Sequence, residues 1–246
     1  MTAPGVPHEP GAPGDGAARG GHQRIPRPAD VRPGEAPPWA HLDDQERIIT
    51  LPLLRERFAR LGAPVRSARE GHVDRASAVL AAIYEHDGET WVVLTRRSAA
   101  LRVHSGEVSF PGGGQDEGED LRDTAKREAC EEVGLDPDLV EIIGELDHLS
   151  TITSNSFIVP YVAALPHRPE LKPSPAEVAA VLHVPLSELL HPTVFHEERW
   201  DLFGTDRAMW FFELAADTVW GATAAMLRQL LGFATGTVER GDLGHI

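Results

Sequence analysis

The apolar positions along this chain change their period in blocks. Leu51, Leu54, Phe58 and Leu61 recur at helical spacing and stop at Gly62, which predicts a helix. Ala76 to Tyr84 and Trp91 to Thr95 read as strands, and the turn signal His86-Asp87-Gly88 between them predicts a hairpin. Helical spacing returns from Leu121 to Val133 and ends at Gly134. Val140 to Leu149 and Phe157 to Leu165 read as further strands. Leu186 to Leu190 reads as a short helix behind Pro185, and Val194 to Phe203 and Met209 to Leu214 as strands. Thr218 to Leu231, with apolar Val219, Ala222, Met226, Leu227, Leu230 and Leu231, reads as a closing helix. Strands mixed with a few helices argue for an α+β or mixed-sheet sandwich and against a doubly wound fold. No internal repeat interrupts this order.

The first 40 residues have no such pattern. Sixteen of them are proline or glycine, and the large apolar side chains are only Val6, Ile25, Val31 and Trp39. A segment this poor in apolar surface does not offset its own ordering entropy. Residues 1–42 are therefore expected to be a disordered tail, residues 43–236 a single domain, and residues 237–246 a short C-terminal tail. The net charge is -15, and the first 40 residues carry four basic and four acidic groups, so the whole excess lies in the remainder. An acidic domain is a poor partner for a nucleic-acid backbone, and none is expected. The single cysteine, Cys130, excludes a disulfide framework and a cysteine-cluster metal site. No apolar run approaches the roughly 20 residues of a membrane span. Residues 1–22 lack the basic start and apolar stretch of a secretory signal, so a cytoplasmic location is expected.

Chemistry concentrates between Gly113 and Leu135. Glu128, Glu131 and Glu132 fall within one arc of the predicted helix, roughly 100° wide. Three such glutamates also fit a solvated acidic face. Against that, they overlap the edge of the apolar stripe Leu121, Ala125, Ala129 and Val133. Half-buried carboxylates need a compensating cation, and hard cations such as Mg²⁺ or Mn²⁺ take oxygen ligands.

The stretch resembles the Nudix box, the signature of a pyrophosphohydrolase family. Gly113, Glu119, Arg127, Glu128, Ala129, Glu131, Glu132, Gly134 and Leu135 fill its specified positions without a departure. The resemblance implies a Nudix α/β/α sandwich with a mixed sheet. It also implies a loop and helix that hold divalent metal against a pyrophosphate, with Glu128 and Glu132 as ligands. Glu131 matches the third acid, either a further ligand or a group acting on metal-bound water. Arg127 is placed to pair with Glu131, and Glu119 either completes the metal shell or holds the helix. A loop acid such as Glu177 is the other candidate general base.

Between Trp91 and Gly106 stand Arg96, Arg97 and Arg102, with no acid among them. A strand edge with solubilising arginines explains such a cluster as well as a phosphate site does. Arginine suits phosphate because its planar fork donates two hydrogen bonds at once. Leu94, Thr95, Arg97, Ser98, Arg102, Gly106, Phe110, Pro111, Gly112 and Gly113 are similar to the signature of the coenzyme A pyrophosphatase subfamily, with Val93 where that pattern has leucine. Pro160-Tyr161-Val162 and Trp220-Gly221-Ala222-Thr223-Ala224 also look like this subfamily. The resemblance covers roughly residues 48–235. It implies cleavage of coenzyme A or its thioesters to 3′,5′-ADP and 4′-phosphopantetheine or its acyl form, with Arg97, Arg102, Gly112 and Gly113 toward the substrate, and a homodimer. The alternatives are a Nudix hydrolase of ADP-ribose or another nucleoside diphosphate derivative, and a non-catalytic Nudix-like nucleotide-binding module.

The rest of the chain is plainer. His183, His191 and His196 show no recognised ligand spacing. Ser109 lacks a nucleophile-elbow setting, and Cys130 reads as a small packing residue. Trp200, Trp210, Phe211 and Phe212 are expected in the core or at a subunit contact.

Overall fold

The computed structural model describes residues 19–67, 70, 75–99, 106–150, 156–202 and 204–243. Its strands are β1 (Arg32–Pro33), β2 (Arg75–His86), β3 (Glu89–Arg97), β4 (Val108–Ser109), β5 (Gly112–Gly114), β6 (Glu141–Glu145), β7 (Leu149–Ser150), β8 (Ser156–Ala164), β9 (Val178–Pro185), β10 (Phe195–Leu202), β11 (Thr205–Glu213) and β12 (Thr218–Trp220). Its helices are α1 (Leu51–Arg60), α2 (Leu121–Val133), α3 (Leu186–Leu189) and α4 (Gly221–Thr235).

The larger sheet has the order β4-β3-β2-β8-β6, with β5 beside β2, β7 beside β8 and β9 beside β3. It is mixed: β2 and β8 run parallel, and the other pairs are antiparallel. β2 is its centre and is apolar on both sides. Ala78, Leu80, Ala82 and Tyr84 face α2, whose Ala125 and Ala129 let the helix lie close to the sheet. Val79, Ala81 and Ile83 face α1 and α4. This is the α/β/α sandwich the sequence predicts. Asp87 (φ 50°) and Gly88 (φ 79°) make the expected hairpin turn in the left-handed region that such two-residue loops require.

α1 begins at Thr50, whose hydroxyl accepts the Leu53 amide, and buries Leu54 and Phe58. Phe58 meets Phe233 of α4 edge to face at 6.1 Å. On β6 it lies over Gly144, where any Cβ would overlap its ring. Below these rings Asp147 is buried and accepts four donors: the Val65 amide, Arg240 Nη1, Gln229 Nε2 and the Gly241 amide.

A second sheet, β1-β10-β11-β12, was not foreseen as a separate layer. Its Trp210 and Phe212 join the core that contains α4, while Trp200 and Phe211 are buried outside that core. The predicted closing helix is also corrected at its start. Thr218–Trp220 pairs as β12 with β11, and the helix begins at Gly221.

The expectation of a disordered tail over residues 1–42 is corrected for residues 19–42; residues 1–18 lie outside the described residues. The ordered part crosses the second sheet as an extended strap. The Gly20 amide donates to the Leu214 carbonyl at 2.7 Å, and β1 pairs with β10. Arg19, Arg27 and Arg32 pair with Glu188, Glu198 and Asp206. Trp39 is 1% exposed, packed on Phe195 and Phe212. The strap builds no core of its own; it borrows the core, the hydrogen-bonding groups and the negative charge of the domain. The expected C-terminal tail is corrected likewise. Val238 and Leu243 are buried, and Arg240 and Gly241 bind Asp147; residues 244–246 lie outside the described set.

Candidate active site

α2 spans the residues the pattern predicts. Asp120 caps it by accepting the Arg122 amide, and Gly134 ends it in the left-handed region at φ 68°. Glu128 and Glu132, one turn apart, lean toward β5. Glu132 is 4% exposed along its side chain, and its Oε2 accepts the Gly112 amide at 3.2 Å. Gly113 faces Glu128 so closely that a Cβ there would overlap the carboxylate. A Cβ at Gly112 would overlap the backbone of Ala78 and Val79. The two glycines thus let β5 lie close against β2 with the acids directly upon it.

Arg127 organises the acids. Its Nε and Nη2 donate to the two oxygens of Glu119 at 2.9 and 3.1 Å, and Nη1 donates to Glu128 Oε1 at 2.9 Å and to Glu131 Oε2 at 3.1 Å. Nη2 also donates to the Gly114 carbonyl at 3.0 Å. The anticipated pair with Glu131 is present, and it is one contact of a fork that joins loop, helix and β5. Glu119 also accepts the Thr124 hydroxyl at 2.7 Å and the Asp116 amide at 3.2 Å. These donors, Arg127 first, hold its carboxyl down at about 2. Both its oxygens are engaged within the protein, the geometry of a group that holds the loop. Thr124 was not singled out from the sequence. It stands at an unspecified position of the box, and its only signal is its place five residues after Glu119.

Glu128 and Glu132 behave oppositely. Burial raises the Glu128 carboxyl above the ordinary range despite Arg127, and the nearby Glu131 and Glu177 add to the rise. Burial pushes Glu132 up to about 7, against the Gly112 amide and Arg97, with Glu128 and Glu177 again adding negative potential. Arg97 Nη1 lies 3.7 Å from Glu132 Oε1. Glu177 sits on a turn whose backbone is tied twice. Its amide donates to the Ser174 carbonyl and its carbonyl accepts the Ser98 amide, at 3.0 and 2.7 Å. The same segment closes α2, where the Lys172 and Ser174 amides donate to the Val133 and Glu132 carbonyls, each at 2.8 Å. Glu131 is 60% exposed. Arg102 lies outside the described residues. Among the described residues no third histidine, cysteine, aspartate or glutamate joins Glu128 and Glu132 in a ready-made metal cluster.

The fold is that of enzymes that hydrolyse phosphoanhydride bonds. The NUDIX domain model matches residues 74–203, and the chain belongs to the Nudix family. Nudix hydrolase NudL of Photorhabdus laumondii, described as uncharacterized, is 38% identical over 140 residues, 56% of this chain and 74% of that one. The NudL of Escherichia coli O139:H28, described in the same way, is 34% identical over 185 residues, 75% of this chain and 94% of that one. Nudix hydrolase 22, chloroplastic, of Arabidopsis thaliana is 38% identical over 166 residues, 62% of this chain and 53% of that one. No helix among the described residues is long and apolar enough to cross a membrane.

Proposed function

We propose that this chain is a divalent-metal-dependent pyrophosphohydrolase that cleaves coenzyme A or acyl-coenzyme A to 3′,5′-ADP and 4′-phosphopantetheine or its acyl form. The observation that carries the reading is the pair Glu128 and Glu132, drawn out of water above Gly112 and Gly113 with Arg97 beside them. Two carboxylates a turn apart, both raised by burial, are under-compensated until positive charge arrives, and oxygen donors of this kind fit Mg²⁺ or Mn²⁺. When bound, such a cation lowers the pKa of a water and neutralises charge on phosphoryl oxygens.

The chain's own groups divide the remaining work. Glu128 and Glu132 are the metal ligands. Arg127 holds Glu119, Glu128 and Glu131 in one arrangement, so it orients ligands and leaves phosphate to Arg97. Glu119 fixes the loop between β5 and α2. Glu177, exposed and close enough to raise both ligands, is the group that accepts the proton of the attacking water, while one oxygen of Glu131 is held by Arg127. Arg97 offers its guanidinium to the substrate's phosphates, with Arg102 in the same signature. That signature runs from Leu94 into Gly113 in register with the box, and it supports coenzyme A over ADP-ribose as substrate.

The test incubates the purified chain with Mg²⁺ or Mn²⁺ and coenzyme A, acetyl-coenzyme A, ADP-ribose, NADH or nucleoside triphosphates. Release of 3′,5′-ADP is the expected result. AMP from ADP-ribose with coenzyme A untouched transfers the reading to a nucleoside diphosphate derivative, and no cleavage of any substrate reduces it to a binding module. Glu128→Gln and Glu132→Gln should each lower turnover by orders of magnitude with the fold retained.

A further inference from the structure

Arg96 and Arg97 are adjacent in sequence and serve opposite faces of β3. Val93 and Arg97 stand on the α2 face, where Arg97 meets Glu132. Val92 and Leu94 belong to the core on the other face, and Arg96 continues that side. There its Nη1 reaches both carboxylate oxygens of Asp217, at 3.3 and 3.5 Å. Asp217 is 5% exposed along its side chain and sits in the turn between β11 and β12. It also accepts Gln23 Nε2 at 2.8 Å, while Gln23 Oε1 accepts the Thr218 amide at 3.0 Å. Both ends of the Gln23 amide are used, so the strap is registered against the turn that carries Asp217.

The β3–β9 pairing shifts register between Arg96 and Arg97, with Ala179 of β9 as the extra residue opposite them. A bulge re-aims the side chain beside it and weakens the local ladder. Beyond it the Arg97 amide donates to the Glu107 carbonyl at 2.9 Å and the Ser98 amide to the Glu177 carbonyl at 2.7 Å. This end of β3 therefore connects three things: the arginine beside the acids, the turn that bears Glu177, and the buried aspartate on the opposite face.

We propose that Asp217 is a positioning residue: acting through Arg96, and braced by Gln23 of the strap, it fixes the end of β3 opposite the β9 bulge and so sets where Arg97 stands against Glu132. The proposal rests on the reading of Arg97 as the cation that meets substrate phosphate. Arg96 occupies a place that the resembled signature leaves unspecified. A simple stabilising ion pair between Arg96 and Asp217 is the rival, and it predicts a loss of stability spread over the domain.

The experiment uses the full chain with Asp217→Asn, Asp217→Glu, Arg96→Gln and Arg97→Ala, and the double variant Asp217→Asn with Arg97→Ala. Amide hydrogen exchange is followed at Arg97 and Ser98, with Ala125 and Ala129 of α2 as internal reference. Independently, kcat and KM are measured on the phosphoanhydride substrate that the wild type cleaves best. Asp217→Asn and Arg96→Gln should each speed exchange at Arg97 and Ser98 roughly tenfold relative to α2, the size of one charge-assisted hydrogen bond lost. KM should rise by a similar factor because phosphate binding is disturbed, and kcat should fall as well because the Ser98 amide also holds the turn that carries Glu177. Asp217→Glu should restore part of the effect, and Asp217→Asn should add nothing to the KM of Arg97→Ala. Unchanged exchange at Arg97 and Ser98, acceleration shared equally with α2, or additive KM effects would overturn the proposal. If Asp217→Asn does not fold, Arg96→Gln and Gln23→Ala carry the same comparison. An Arg97→Ala chain with wild-type KM would instead remove the substrate role of Arg97, while the exchange measurement still decides whether Asp217 holds the end of β3.

Discussion

Glu132 makes the metal-free protein less stable than it could be, and the amount can be worked from its surroundings. Burial moves its carboxyl from the ordinary 4.5 to about 7. That corresponds to about 3 kcal/mol against the charged form in the folded state. The unfolded chain releases this proton near pH 4.5 and the folded chain near pH 7, so between those values the folded state binds more protons. Stability from this group therefore falls as pH rises through the window and stays low above it. Glu132→Gln keeps an oxygen for the Gly112 amide and cannot ionise. In EDTA at pH 8 it should be more stable than wild type by about 3 kcal/mol, a rise in Tm of roughly 6–12 °C for a chain of this size. The gap should close as pH falls to 4.5. Titrating Mg²⁺ or Mn²⁺ should first close the gap and then reverse the order, since a ligand adds about 2.7 kcal/mol at a hundred times its Kd and about 4.1 kcal/mol at a thousand times to a folded state that binds it. Differential scanning calorimetry of both proteins, with and without metal across this pH range, provides the measurement. A variant no more stable than wild type in EDTA at pH 8, or a gap that does not narrow toward acid, would refute the argument that this acid is held under-compensated.

Gly113→Ala places a methyl group on the Glu128 carboxylate; turnover should fall at least tenfold with the far-ultraviolet circular dichroism retained, roughly one misplaced ligand's worth of barrier. Asp147→Ala strands four donors around a buried vacancy and should cost about 3–5 kcal/mol in urea unfolding. Trp39→Ala should cost about 3–5 kcal/mol by the same assay, whereas a passive tail would give no change. Arg97→Ala should raise KM roughly ten- to a hundredfold. An effect on coenzyme A that spares dephospho-coenzyme A would assign Arg97 to the 3′-phosphate, an equal effect on both would assign it to the pyrophosphate, and wild-type kinetics on both would end its substrate role.

What the sequence made legible was chemistry written in one continuous run. α2 has the predicted bounds because its apolar stripe, Asp120 cap and Gly134 stop are all local, and the acids follow from spacing along it. The hairpin of β2 and β3 was readable for the same reason. What escaped depends on distant partners. The strap looks unfoldable by its own composition; its order comes from Glu188, Glu198, Asp206, Asp217 and an aromatic cleft that receives Trp39, all far along the chain. β9, whose valines are interrupted by Ala179 and Ala180, is a strand because β3 offers it an edge. Thr218–Trp220 continues the polarity of a helix on paper, and pairing with β11 decides otherwise. Arg96 and Arg97 look alike in the sequence until strand alternation sends them to different faces, one to Asp217 and the other to Glu132.

The segment that closes α2 also sets how this domain can tolerate changes of length. Residues 166 and 167, just after β8, are exposed, and extra residues there would spread into solvent. From Lys172 onward the spacing is fixed, because the amides at 172 and 174 must reach the last carbonyls of α2 while the carbonyl at 177 reaches Ser98. One residue inserted between them would displace Glu177 by about 3.5 Å and break one attachment or the other. In comparisons among related chains, and in grafting a new loop onto this one, gaps belong before Lys172 and not between it and Val178.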